Sequence, residues 1–127
     1  MWLADTHLLV WAAYGDSRLS PRAAKVLRSR DLPVFFSLAS LWEVAIKASL
    51  RRPDFVADPS QLHDALLDEG FTELAIAPKH IARVATLPWV HRDPFDRMLV
   101  AQALEEGLKL LTADAALKPY GRFVRVV

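Results

Sequence analysis

Four acids, Asp5, Glu43, Asp96 and Asp114, stand where an alternating chain most readily builds chemistry. Asp5 follows the apolar run Trp2–Ala4, and Glu43 lies one to two turns into the apolar segment that starts at Leu38. Asp96 comes three residues after Asp93, and Asp114 follows the Leu108–Thr112 run. Carboxylates crowded together repel one another unless a cation neutralises them. Oxygen donors call for a hard divalent ion, magnesium or manganese, rather than zinc. Such an ion makes a nucleophile of water and stabilises an in-line phosphoryl transition state, so the implied substrate is a phosphodiester.

Each acid also has an ordinary explanation. Asp5 and Asp114 can each cap a following helix, because an aspartate there accepts an amide hydrogen bond. Glu43 can pair with Lys47 at i,i+4 on a solvated stripe. Yet Leu38, Leu41, Trp42, Val44, Ala45, Ile46 and Ala48 leave one narrow polar stripe of Ser40, Glu43 and Lys47, which predicts that Glu43 faces a protected cleft. Asp93, before Pro94, is the natural cap, and Asp96 is a first-turn acid favoured by the helix dipole. A helix needs one such cap, so Asp96 is the better ligand candidate and Asp93 a supporting acid.

The elements that must position these acids are legible along the chain. Trp2–Ala4, Val34–Phe36, Thr72–Ile76, Leu108–Thr112 and Phe123–Val127 read as short strands. Between them, apolar stripes at helical spacing predict helices: one around Leu8–Ala12, then Pro21–Ser29, Leu38–Leu50, Pro59–Glu69, one from Pro78, one from Pro94 to just before Gly107, and a short one over Ala115–Lys118. Mostly apolar strands alternating with helices predict an α/β fold, with a parallel sheet of four to five short strands covered on both faces. Right-handed crossovers then place all strand C-termini along one edge, where sites form in open α/β sheets.

Composition bounds the rest. The chain has 127 residues, 53% of them hydrophobic, enough for a single domain spanning 1–127 with one buried core. There is no cysteine, which excludes disulfides and thiolate metal sites. The apolar stretch Leu8–Ala13 is too short to span a bilayer, so the expected compartment is the cytoplasm, with no membrane partner. Net charge is +1; if four of the fifteen acids gather around a cation, the sixteen basic residues outnumber the remaining acids by five, a surplus that can attract a polyanion.

In its motifs the chain resembles the PIN-domain nucleases, and most closely the VapC-type toxins of bacterial toxin–antitoxin pairs. The matching pieces are Leu3-Ala4-Asp5-Thr6-His7; Ser37, Ser40, Trp42-Glu43-Val44 and Ile46-Lys47; Asp93-Pro94-Phe95-Asp96-Arg97 with Leu99 and Ala101-Gln102-Ala103; and Leu111-Thr112 with Asp114. Their order and spacing cover nearly the whole chain. The resemblance implies a three-layer PIN-like fold and a magnesium-dependent endoribonuclease. Asp5 and Asp96 would be its first metal ligands, and Glu43 and Asp114 would complete the acidic pocket. Thr6, Ser40 and Thr112 would support them as hydrogen-bonding neighbours. It further implies an RNA substrate, a cognate antitoxin that blocks the cleft, and a homodimer. Spacing alone leaves Asp93 as an alternative to Asp96.

Other residues carry weaker expectations. His7 and His91 flank the acids, which allows a mixed carboxylate–imidazole site or metal-free acid–base cleavage of RNA. His63 and His80 read as surface helix positions. Lys47, Arg51, Arg52, Arg92 and Arg97 are candidate phosphate contacts at the rim. Trp2, Trp11 and Trp42 are expected in the core, whereas Trp89, in a polar stretch, is free to stack on a base or a partner. An aspartyl-phosphate phosphatase is disfavoured because His7 replaces the second acid such enzymes need. A deoxyribonuclease of the same fold and a catalytically silent interaction module remain the alternatives.

Overall fold

The computed structural model describes all 127 residues. Five parallel strands, β1 (Trp2–Ala4), β2 (Val34–Ser37), β3 (Thr72–Leu74), β4 (Lys109–Thr112) and β5 (Val124–Val126), form one sheet in the order β3-β2-β1-β4-β5. The chain steps outward from β1 to β2 and β3, then crosses back to place β4 on the other side of β1. The strand order therefore reverses between β1 and β4, whose register pairs Leu3 with Leu110 and Ala4 with Leu111. The crevice beyond the C-terminal ends of those two strands is where open α/β sheets place ligands.

Six α-helices connect the strands: α1 (Thr6–Ala13), α2 (Pro21–Arg28), α3 (Leu38–Ser49), α4 (Pro59–Asp68), α5 (Pro78–Val84) and α6 (Pro94–Glu106). A 3-10 helix (Ala115–Tyr120) precedes β5. Side-chain caps set most of the starts: Asp5, Ser20, Ser37, Asp58 and Asp93 each accept an amide hydrogen bond from the first turn. Proline at the first helical position follows Ser20, Asp58 and Asp93. Gly107, at φ 65°, takes the left-handed conformation that ends α6 and turns the chain into β4. The strand and helix bounds agree with the sequence expectation to within two residues, the largest differences being the shorter β3 and the 3-10 helix that runs on to Tyr120.

Alternation along the strands divides the core in two. Ala4 and Leu111 face a cluster with Leu8, Leu9, Leu27, Leu62 and Leu66 from α1, α2 and α4. Their neighbours Leu3 and Leu110 face the opposite cluster, with Leu99, Val100 and Ala103 from α6 and Leu117 from the 3-10 helix. Helices thus cover both faces of the sheet, giving the three layers expected of a parallel sheet.

Burial departs from expectation at Trp42, His80 and Arg97. Trp42 is 60% exposed rather than in the core, its ring edge-on to Phe95 at 5.1 Å. With Ile46 and Leu50 it forms an exposed apolar stripe at i, i+4, i+8, so the apolar surround of α3 is not covered on every side. His80, expected at the surface, is buried. Ala77 has no side chain to cap α5, so the His80 imidazole folds back and its Nδ1 accepts the Ala77 N–H at 2.9 Å, while Nε2 lies 3.2 Å from Glu106 on α6. No helix is long and apolar enough to cross a membrane.

Candidate active site

Five buried polar side chains, Asp5, Thr6, Ser40, Glu43 and Thr112, meet where β1 and β4 end and α1 and α3 begin. Burying polar groups is unfavourable unless each finds a partner, and most of these do. Asp5 Oδ1 accepts the Leu8 N–H at 3.0 Å, and Oδ2 accepts the Thr112 hydroxyl. The Thr6 hydroxyl donates to Ser40 Oγ at 2.9 Å, joining the first turns of α1 and α3. The Asp114 N–H donates to Thr112 Oγ1 at 3.0 Å, so this one hydroxyl ties the residue after β4 to the residue after β1.

Glu43 satisfies both of its sequence readings. Its Oε2 pairs with Lys47 Nζ at 2.8 Å, and the side chain is nevertheless buried. Its Oε1 is buried without any hydrogen-bond partner. An orphaned carboxylate oxygen inside a protein is costly, and here it points to a cationic ligand.

Cap geometry distinguishes Asp93 from Asp96. Asp93 Oδ1 accepts the N–H groups of Phe95 and Asp96 at 2.8 and 3.0 Å, which commits it to capping α6. Asp96 accepts no hydrogen bond and stands among the other acids. Burial first, then the charges of Asp93, Glu43 and Asp5, raise its pKa to about 7 against the opposing pull of His91. Burial likewise raises Asp5, with the Thr112 and Leu8 hydrogen bonds opposing.

His91 comes further into the site than its sequence position suggests. Its Nδ1 accepts the Asp93 N–H at 3.1 Å, so the ring proton sits on Nε2, 3.4 Å from Asp114 and 3.7 Å from Asp96. One ligand atom each from His91, Asp96 and Asp114 lie within 4.8 Å of one another. With Nδ1 occupied by the Asp93 N–H, Nε2 carries its ring N–H toward these carboxylates and is not free to bind a cation. His7 stacks on Trp11 at 5.6 Å, on the α1 side.

The expected rim cations separate. Arg92 is exposed beside His91, and Arg51 and Arg52 are exposed at the far end of α3. That end is about 12 Å along the helix from Glu43 at 1.5 Å per residue. Arg97 is not at the rim: it is 4% exposed. Its guanidinium donates to the carbonyls of Val84, Leu87 and Pro88 and to the Tyr120 hydroxyl at 2.9–3.4 Å. Trp89, 80% exposed, covers the same guanidinium at 3.9 Å. The residue is held because a loop's carbonyls converge on it, so it fixes the segment that carries His91. Replacing Arg97 with Met leaves several of those acceptors unsatisfied and should destabilise the fold by about 3 kcal/mol. A melting temperature within a degree of wild type would remove this structural role.

The donor set therefore fits a divalent cation: Asp5 and Asp96 raised in pKa, Glu43 with an unpartnered buried oxygen, Asp114 beside them, and no thiolate.

Comparison with known proteins identifies the family. The PIN domain family matches residues 3–122. Ribonuclease VapC22 of Mycobacterium tuberculosis is 29% identical over 119 residues, covering 93% of this chain and 90% of that protein. Among solved structures, VapBC2 from Rickettsia felis bound to a DNA fragment from its promoter superposes with a TM-score of 0.69 at 13% identity, over 99% of this chain and 96% of that one. A toxin–antitoxin complex from Klebsiella pneumoniae gives 0.65 at 20% identity, over 100% and 96%. FitAcB from Neisseria gonorrhoeae gives 0.65 at 17% identity, over 94% and 92%. At such identities these structures speak for the fold, and the family match over most of the chain decides membership: the chain belongs to the PIN-domain family.

Proposed function

We propose that the protein is a cytoplasmic, magnesium-dependent endoribonuclease, the toxin of a toxin–antitoxin pair. The observation that carries this reading is the unpartnered, buried Glu43 oxygen among acids whose pKa values are raised by burial and mutual repulsion. Asp5, Asp96 and Glu43 would hold the cation, with Asp114 completing the pocket. A divalent cation bound there supplies charge neutralisation and activation of the attacking water for phosphodiester hydrolysis, leaving a 5′-phosphate and a 3′-hydroxyl. Thr112 and the Leu8 amide fix the Asp5 carboxylate, and Asp93 frees Asp96 by taking the cap. The His91 Nε2–H restrains Asp96 and Asp114 from the open side.

The exposed Trp42, Ile46 and Leu50 stripe next to Glu43 supports a protein partner on this flank. The relatives solved as toxin–antitoxin complexes suggest an antitoxin there, with a second copy of the chain as the other expected contact. The test is cleavage of a mixed RNA pool, with flap DNA beside it, in magnesium, in manganese and in chelator. Metal-dependent RNA cutting supports the reading. Cutting of DNA alone moves the substrate to deoxyribose, activity surviving chelation moves the chemistry to the histidines, and silence on both substrates makes the protein a binding module.

Glu43→Gln keeps the shape but removes the charge, and turnover should fall about 100-fold, the scale of losing one charged contact to the transition state. An unchanged rate would leave Glu43 only its pairing with Lys47.

A further inference from the structure

Away from the acidic crevice, two stretches of sequence are basic and free of acids. Residues 17–30 hold Arg18, Arg22, Lys25, Arg28 and Arg30, and residues 115–127 hold Lys118, Arg122 and Arg125. The fold brings part of each together. Arg22 and Lys25 on α2 face Lys109 on β4 and Arg125 on β5 across a groove of about 470 Å³ whose floor includes Trp2 and Leu111. Arg125 also borders a second depression lined by Lys118 and Arg122. No Asp or Glu lines either one. None of these six cations makes an ion pair, whereas Arg18, Lys47, Lys79 and Arg83 all do. All six are exposed.

Overall charge does not account for this, since the whole chain carries only +1. Protection of the edge strand would explain Arg125 and Arg122 on or beside β5. It does not explain Lys109, which lies on an interior strand paired on both sides, or Arg22 and Lys25 on α2. Lys109 Nζ lies over the Trp2 ring at 5.6 Å, so its charge is held on the groove floor rather than swinging free. Unpaired cations from three elements, facing one channel, complement a chain of phosphates. The groove and the acidic crevice share strands. Lys109 begins β4 and Thr112 ends it, a rise of about 10 Å, so one nucleic-acid strand lying in the groove can continue toward the acids.

We infer that the groove between α2 and the β4–β5 half of the sheet, lined by Arg22, Lys25, Lys109 and Arg125, is a phosphate-backbone binding surface that holds single-stranded RNA outside the cleavage site. Resting on the endoribonuclease reading, the inference assigns that substrate a second point of attachment. Its lining of cations beside one indole, with no amide or hydroxyl side chain, suits contact with backbone phosphates of any sequence.

The test uses the full chain carrying Asp5→Asn to prevent cutting. Binding of a labelled, mixed-sequence RNA about 20 nucleotides long is measured between about 50 and about 200 mM salt. Lys109→Gln/Arg125→Gln is compared with Arg28→Gln/Arg30→Gln, which removes the same charge outside the groove and away from the acidic crevice; all four side chains are exposed. The groove pair should lose about tenfold in affinity near physiological salt, and its log–log salt slope should become shallower by about 1.4, two phosphate contacts' worth. The control pair should change neither quantity by as much. Equal losses in both pairs, or no loss in the groove pair, overturn the inference. Unchanged RNA binding with lost binding to poly-glutamate assigns the groove to an acidic protein and overturns it too. If wild type cuts RNA while the groove pair binds normally, only the groove fails; if the groove binds RNA that wild type never cuts, only the nuclease reading fails.

Discussion

Asp5→Asn should reduce metal-dependent RNA cleavage by about 10³-fold or more, the several kcal/mol a divalent ion contributes to a phosphoryl transition state, while leaving the fold intact. The expected separation of activity from stability rests on what each Asp5 oxygen does. Oδ1 caps α1 through the Leu8 amide, which the asparagine carbonyl can still do. Oδ2 accepts the Thr112 hydroxyl, whose oxygen can instead accept from the new amide nitrogen. The variant removes only the charge. Because burial raises the Asp5 pKa, the neutral amide is if anything easier to accommodate than the carboxylate, and the metal-free melting temperature should hold or rise. Thermal scans with and without magnesium, run beside a single-turnover cleavage assay, check both halves. Wild-type cleavage by Asp5→Asn would remove Asp5 from the ligand set.

The elements that deliver these acids were readable because their signals are local. Ser20-Pro21, Asp58-Pro59 and Asp93-Pro94 each put a cap acceptor before a proline, and all three start helices. Apolar runs of three to five residues became parallel strands because a doubly covered sheet has no need of polar alternation. The convergence of Asp5 and Asp114 follows from topology once β1 and β4 are neighbours, an adjacency that only the order of the sheet supplies.

What sequence could not supply were the partners reached across the chain. Arg97 sits in a motif rich in charge, and nothing near it announces that the 84–91 loop will turn three carbonyls inward; its burial is decided by a segment about ten residues away. His91 lies close to Asp93 in sequence, but its approach to Asp114 depends on the 3-10 helix that follows β4. Trp42 has the type and spacing of a core residue, and only the absence of a covering element leaves it exposed. The cations facing across the basic groove come from segments more than eighty residues apart, so the charge total of +1 concealed them. The choice between Asp93 and Asp96 was open for a different reason: both positions suit an acid, and only the hydrogen bonds at the start of α6 assign the cap to Asp93.

The same geometry makes stability without metal fall as pH rises. Asp96 holds its proton to about 7 in the folded protein, first because it is buried and then because Asp93, Glu43 and Asp5 repel its negative form, whereas its unperturbed value is 3.8. Between those values the folded state binds more protons than the unfolded state, so the free energy of unfolding declines with pH across that window and levels off above it. Asp5, also raised, contributes in the same direction. The metal-free melting temperature should therefore drop by several degrees between about pH 5 and about pH 7.5, and Asp96→Asn should flatten much of that slope. On the proposed reading magnesium would compete with the proton for the same carboxylate, so its stabilisation should be larger at the alkaline end and accompanied by proton release. A pH profile of wild type that overlays that of Asp96→Asn, with and without magnesium, would place Asp96 outside the cation's reach. Asp93 and His91 would then be left to explain why an acid stands there at all.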